Sequence, residues 1–163
     1  MTAEALSVTE LSELTAPQLA ALRALPVTGR QACLGKSFPE SLDDWQAAAP
    51  GAVLGLCVLL DGTPVGLTLF RRVPAQAGTP ATASIHGLKI ALPWQGRGWG
   101  HAALRLAVAA LHQRWPEVRR LTLAVDADNA AALAVYRRFG MTDSGPVDGN
   151  HGPEHYMTKA LDG

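Results

Sequence analysis

Glycines at 96, 98 and 100 alternate with Arg97 and Trp99, directly after Gln95. Without side chains, such residues let an anion reach backbone N–H groups, and where the run opens a helix the positive end of the macrodipole points at the same place. Arg97 adds a mobile positive charge, so the composition is that of a nest for phosphate. A strand-to-helix turn that uses glycine for geometry alone would account for an isolated Gly-x-Gly; three alternating glycines beside Gln95 and Arg97 favour a ligand. A dinucleotide fingerprint fits loosely, as Gly98-x-Gly100-x-x-Ala103 with Asp126 ending the next strand. That fingerprint belongs after the first strand of a repeating βαβ sheet, however, and here a hairpin comes first. No Gly-Lys-Ser/Thr follows the glycines, which excludes a Walker loop.

Other side chains could take part in proton chemistry. His86 titrates near neutrality and lies in a strand, where it is either a proton acceptor or a partly buried histidine bonded to its neighbours. Its alternation puts it on the face of Leu88 and Ile90. Tyr136, on a helix with Phe139, reads from local pattern alone as a packed tyrosine with its hydroxyl at the surface. Asn129 is placed to cap that helix. His101 sits just inside the preceding helix and either touches a phosphate or is solvated. His151 and His155 flank Gly152-Pro153-Glu154, but they are not on a helix and no third ligand is near, so no metal site is expected. They read as a substrate-side loop or as exposed residues. Trp94 and Trp99 flank the glycine loop and could cover a ligand or the domain body.

These groups must be positioned by a mixed α/β chain. Thr15 caps a first helix with Pro17 in its opening turn and Leu19, Leu22 and Leu25 as its stripe, up to Pro26. A second short helix starts near Pro39 and Glu40, carries Leu42 and Trp45, and breaks at Pro50-Gly51. Residues 53–60 and 64–72 are apolar runs joined through Asp61-Gly62, which predicts an antiparallel hairpin. After a loop over 73–80, a third strand over 81–92 leads into the glycines. A long helix follows over 98–115, stopped by Pro116, then a strand over 121–125 and a helix over 130–139 closed by Gly140. The tail, broken by glycine and proline, reads as one or two extended strands. Only 85–125 is clearly a βαβ unit, with its strands parallel and its connection right-handed.

With 163 residues and no repeats or linkers, one domain over 1–163 is expected. Lys plus Arg equals Asp plus Glu at 14 each, so no overall field draws the chain to nucleic acid or to an anionic membrane. No basic stripe accompanies the tryptophans, which argues against nucleic acid again. Cys33 and Cys57 lack metal-ligand spacing, and no signal peptide or membrane span is visible; a cytoplasmic protein is expected.

Gln95-x-x-Gly98-x-Gly100 after a strand resembles the Q/R-x-x-G-x-G/A signature of the GNAT superfamily of acetyl-CoA-dependent N-acetyltransferases. Residues 129–141, with Asn129, Ala132, Tyr136 and Gly140-Met141, are similar to the N-x-x-A-x-x-x-Y-x-x-x-G-F segment that follows the next strand there. The resemblance covers 53–141. It implies a mostly antiparallel mixed sheet of six to seven strands with about four helices, whose central parallel pair splays to admit the pantetheine arm of CoA.

Backbone groups at Leu88, Lys89 and Ile90, the loop from Gln95 through Gly96, Arg97, Gly98, Trp99 and Gly100, and His101, Asn129 and Tyr136 are then the implied CoA contacts. Amides near Ile90 would meet the thioester oxygen, and Tyr136 would be the general acid at the sulfur. Ribosomal-protein-type members carry a glutamate as general base where this chain has Ala124; His86 stands where several small-amine enzymes place a catalytic glutamate, which makes it the candidate base. The expected reaction is acetyl transfer to a primary amine of a small molecule, or to a peptide N-terminus or lysine, by direct attack. A catalytically silent CoA-binding module is the alternative. A metal is not expected, and a homodimer stays open.

Overall fold

In this computed structural model the described residues are 5–26, 37–149 and 152–161, which leaves Cys33 and His151 outside the description. Seven strands form one sheet: β1 Leu6–Glu10, β2 Val53–Leu60, β3 Thr63–Val73, β4 Thr82–Ile90, β5 Arg120–Asp126, β6 Thr142–Gly149 and β7 Gly152–Ala160. Their spatial order is β1-β2-β3-β4-β5-β7-β6. Only β4 and β5 run parallel; every other neighbouring pair is antiparallel. Among the described residues there are four α-helices, α1 Ala16–Arg23, α2 Phe38–Ala47, α3 Trp99–Arg114 and α4 Ala130–Phe139.

Local chemistry sets the ends of these elements. Thr15 and Gln18 form a reciprocal capping box at α1, which ends at Arg23, a turn before Pro26. Asp61 (φ 50°) and Gly62 (φ 80°) make the tight turn between β2 and β3. Asn129 Oδ1 accepts from the Ala132 amide to cap α4, and Gly140 (φ 99°) closes it. The tail is more regular than its composition suggests: β6 and β7 form a full hairpin, tied to α4 where Asp143 meets both Arg137 and His155.

The sheet is covered on both faces, so β2 is apolar without alternation. Leu54 and Leu56 join Phe70, Leu104, Leu111, Leu121 and Tyr136 in the core under α3 and α4. Cys57 and Leu59 point the other way, into a core with Leu22 of α1 and Phe38 and Leu42 of α2. Each such leucine, fully withdrawn from water, contributes about 1.5–3 kcal/mol. Two packed layers therefore clamp the sheet and hold its central strands against the loops at their ends.

Candidate active site

The parallel pair opens in the middle of the sheet. Strands β4 and β5 register only at Thr82↔Arg120, Ala83↔Leu121 and Ser84↔Thr122, although they run on to Ile90 and Asp126. On its other side β4 pairs with β3 at Leu67↔Lys89 and Leu69↔His86, so Gly87 and Leu88 together oppose Thr68. This is a β-bulge, and Gly87 supplies it with a φ of 75°. The extra residue breaks the alternation: His86 and Gly87 are both exposed in succession, and Lys89 and Ile90 both buried. The simple parity that would group His86 with Leu88 and Ile90 therefore does not hold. A cleft of about 1070 Å³ fills the opening, lined by the bulged stretch of β4, the end of β5, the glycine loop and α4.

The loop is held as its sequence requires. A 3₁₀ turn, Leu92–Trp94, leads out of β4, and the Gln95 side-chain amide donates to the Ile90 carbonyl at 2.8 Å, fastening the loop to the strand end. Gly98 caps α3 at φ 80° with no side-chain hydrogen bond to the first-turn amides, and Gly96 adopts φ 77°. A Cβ built on either glycine would meet nothing within 4 Å, so the loop faces open space. These features suit a phosphate ligand. Trp94 and Trp99 pack against the core while bordering the cleft.

Every residue assigned to the cofactor from sequence lines this cleft except Arg97, which is exposed and outside its wall. His86 lines it too. Tyr136, 7 % exposed, reaches the wall from α4, and burial pushes its phenol up to about 12. His101 is held below its ordinary range by burial first, then by the charges of Arg138 and Arg105. Asn129 lines the cleft while its side chain caps α4. Ala124 presents only a methyl group, beside the β5 end. His155 is on β7 with Nδ1 2.7 Å from Asp143 Oδ2, rather than in a loop.

Several lining groups were not legible in sequence. Ser41 of α2 and Lys89 of β4 meet inside the wall, Nζ donating to Oγ at 2.6 Å, with both residues buried. Forty-eight positions separate them, and no local pattern links them. Asp44, Asp126, Asp128 and Glu154 bring four carboxylates to the same cleft. Asp126 Oδ1 is buried with no hydrogen-bond partner among the described residues. Such a wall can bind an anion at the loop, present backbone donors at the bulge, hold a phenolic proton and attract a cation.

The model of the acetyltransferase (GNAT) family matches residues 19–141. A comparison with curated proteins finds no match. Among solved structures, the aminoglycoside acetyltransferase AAC(6')-Ib in complex with coenzyme A superposes with a TM-score of 0.74 at 18 % identity, over 96 % of this chain and 95 % of that one. An acetyltransferase from Salmonella typhimurium that modifies the N-terminal serine of a 50S ribosomal subunit protein gives 0.73 at 20 % identity, over 96 % and 95 %. A GNAT-family acetyltransferase from Streptococcus pneumoniae gives 0.64 at 16 %, over 97 % and 100 %.

Proposed function

The chain belongs to the acetyltransferase (GNAT) family, and on that premise we propose that it moves an acetyl group from acetyl-CoA to a primary amine of a small molecule or peptide, by direct attack in a ternary complex. One observation carries this reading: a single cleft joins the open amides of the glycine loop, the bulged end of β4 and Tyr136. The residues present fit the cosubstrate. Gly96, Gly98 and Gly100 at the start of α3 would hold its diphosphate, and the gap between β4 and β5 its pantetheine arm.

Acetyl-CoA supplies an acetyl group activated as a thioester. The chain supplies the rest. Backbone N–H groups near Ile90 polarise the carbonyl oxygen, since β4 registers with β5 no further than Ser84 and its end borders the cleft. His86 accepts the proton of the incoming ammonium, directly or through water. Tyr136 keeps its proton at neutral pH and donates it toward the departing sulfur. The four carboxylates in the wall favour a cationic acceptor over an anionic one. Similar structures that act on an aminoglycoside and on a protein N-terminus set the first acceptor classes to try.

Ala124 favours a second reading, a CoA-binding module without turnover, because it leaves that strand position without a base. Free-thiol release from acetyl-CoA across a panel of amines, amino acids and peptides separates the two. Release that depends on an amine supports the enzyme, and binding of acetyl-CoA with no amine-dependent release supports the module. With the best amine, His86→Ala should lose the acidic limb of the pH–rate profile; a retained limb assigns the proton to another group.

A further inference from the structure

One face of β3 and β4 sets a cation on either side of His86. Leu67 and Leu69 of β3 pack in the core with α1 and α2, so Arg71, two residues on, points to that side of the sheet. The partners of these three residues across the ladder are Lys89, His86 and Ser84, in that order. Lys89 is held there by Ser41 of α2. Arg71 is exposed, lines the cleft and has no carboxylate partner among the described residues. Its neighbour Arg72 is engaged on the opposite face, paired with Glu117 and stacked 5.5 Å from the centre of the Trp115 ring.

Acidic groups gather at the other end of the same face. Ser84 registers with Thr122 of β5, and from there Ala124 and Asp126 alternate onward on this face while Leu123 and Val125 enter the opposite core. Asp126 opposes Glu154 across β5 and β7, with Asp128 just beyond, and the fourth carboxylate of the cleft, Asp44, comes from α2. Arg71, Ser84 and Thr122 form one row across β3, β4 and β5. Along the parallel strands, His86 lies about 7 Å beyond that row and Asp126 about 13 Å beyond it, at about 3.3 Å per residue. The cleft is thus positive at Arg71, holds its proton acceptor in the middle and is negative past it. An ammonium brought to His86 between Arg71 and Lys89 is repelled unless it carries its own anion. A guanidinium with no carboxylate beside it is a receptor for one, because its planar fork takes both oxygens.

We propose that the acceptor is a free amino acid whose carboxylate is held by Arg71 while its ammonium points along the charge gradient to His86. This deepens the acetyl-transfer reading and rests on it. A zwitterion matches both ends of the cleft, whereas a simple amine leaves Arg71 without an anion and brings its own charge close to two of the same sign. Arg71 and His86 are diagonal neighbours across an antiparallel pair, with backbones about 7–8 Å apart, which a long side chain spans. The carboxylate therefore sits only a few bonds from the reacting amine, as in an amino acid. The excess of carboxylates past His86 suits neutral or basic side chains over acidic ones. In the transfer, the ammonium gives a proton to His86, the free amine attacks the thioester carbon, a C–N bond replaces the C–S bond, and the departing thiolate takes up a proton. The product is an N-acetyl amino acid.

Free-thiol release from acetyl-CoA with matched acceptors tests this: a free amino acid, its carboxamide and the amine left on decarboxylation, taken for several neutral and basic side chains. For the wild type, kcat/KM should be roughly tenfold or more higher for the best amino acid than for either relative, chiefly through KM. Arg71→Ala should erase that ratio, and Arg71→Lys, which keeps the charge but not the fork, should retain part of it. Because Arg71 is exposed, urea unfolding of both variants should match the wild type. Equal use of the three acceptors by the wild type, or an Arg71→Ala variant that keeps the ratio, overturns the inference and leaves acetyl transfer standing. Release only with amines that lack a carboxylate does the same. Release with no amine at all overturns the inference together with the acetyl-transfer reading.

Discussion

Tyr136 combines two effects that pull in different directions. Burial moves its phenol from 10.0 to about 12, which guarantees a proton across the neutral range but makes the group a weaker acid. It is therefore suited to a hydrogen bond that strengthens as negative charge builds on sulfur, rather than to early proton loss. Tyr136→Phe keeps the ring that packs with Leu133 and Leu104 and removes only that donor. Its kcat should fall by roughly 10²-fold or more while KM for acetyl-CoA changes little. Steady-state kinetics check this, and an unchanged kcat would return Tyr136 to a packing role. Legibility at this scale divides by reach. Tyr136 and Asn129 sit at fixed offsets within one segment, so the family resemblance names them together, and both line the cleft. Ser41 and Lys89 could not be paired in this way, because their contact exists only after α2 folds over β4.

At the scale of elements, the bulge decides the geometry of the site. An inserted residue is nearly invisible to periodicity: 81–92 reads as one alternating strand, and only the pairing to β3 shows that Gly87 and Leu88 share one partner. Caps, by contrast, are local signals, and α4 ends where Asn129 and Gly140 said it would. The β6/β7 hairpin was only half legible, because glycine and proline within strands mimic loop composition. Gly87→Ala tests the bulge. It forces a side chain into φ 75° and places its Cβ 2.8 Å from Lys89 Nζ, which is already engaged with Ser41. Gly78→Ala imposes similar backbone strain at φ 79° with nothing within 4 Å, in a loop outside the cleft wall. Both should destabilise by about 1–2 kcal/mol in urea unfolding. Only Gly87→Ala should also lower kcat, by roughly tenfold or more, if the bulge orients the backbone donors. Parallel kinetics in the two variants would separate the bulge from catalysis.

Across the whole molecule, the two packed layers each contain one neutral acid that burial keeps from ionising. Cys57 lies in the layer with α1 and α2, its thiol pushed up from 9.0 to about 12; Tyr136 lies in the layer with α3 and α4. Both folded values exceed the unfolded ones, so the unfolded chain binds fewer protons once pH rises past them, and stability must fall with pH. The Cys57 contribution is intact below about pH 9 and is lost between there and about 12, whereas loss at Tyr136 begins near 10. Each contributes a slope of about 1.4 kcal/mol per pH unit within its window. Urea unfolding at closely spaced pH values should therefore show a fall that starts near 9 and steepens past 10. Cys57→Ala should be less stable at pH 8, from the cavity it leaves, yet lose less between 9 and 10 than the wild type. Tyr136→Phe should instead remove the steepening above 10. If wild type and Cys57→Ala fall in parallel from pH 9 to 10, the thiol is not shielded in the folded chain, and the α1/α2 layer does not close over β2 as described.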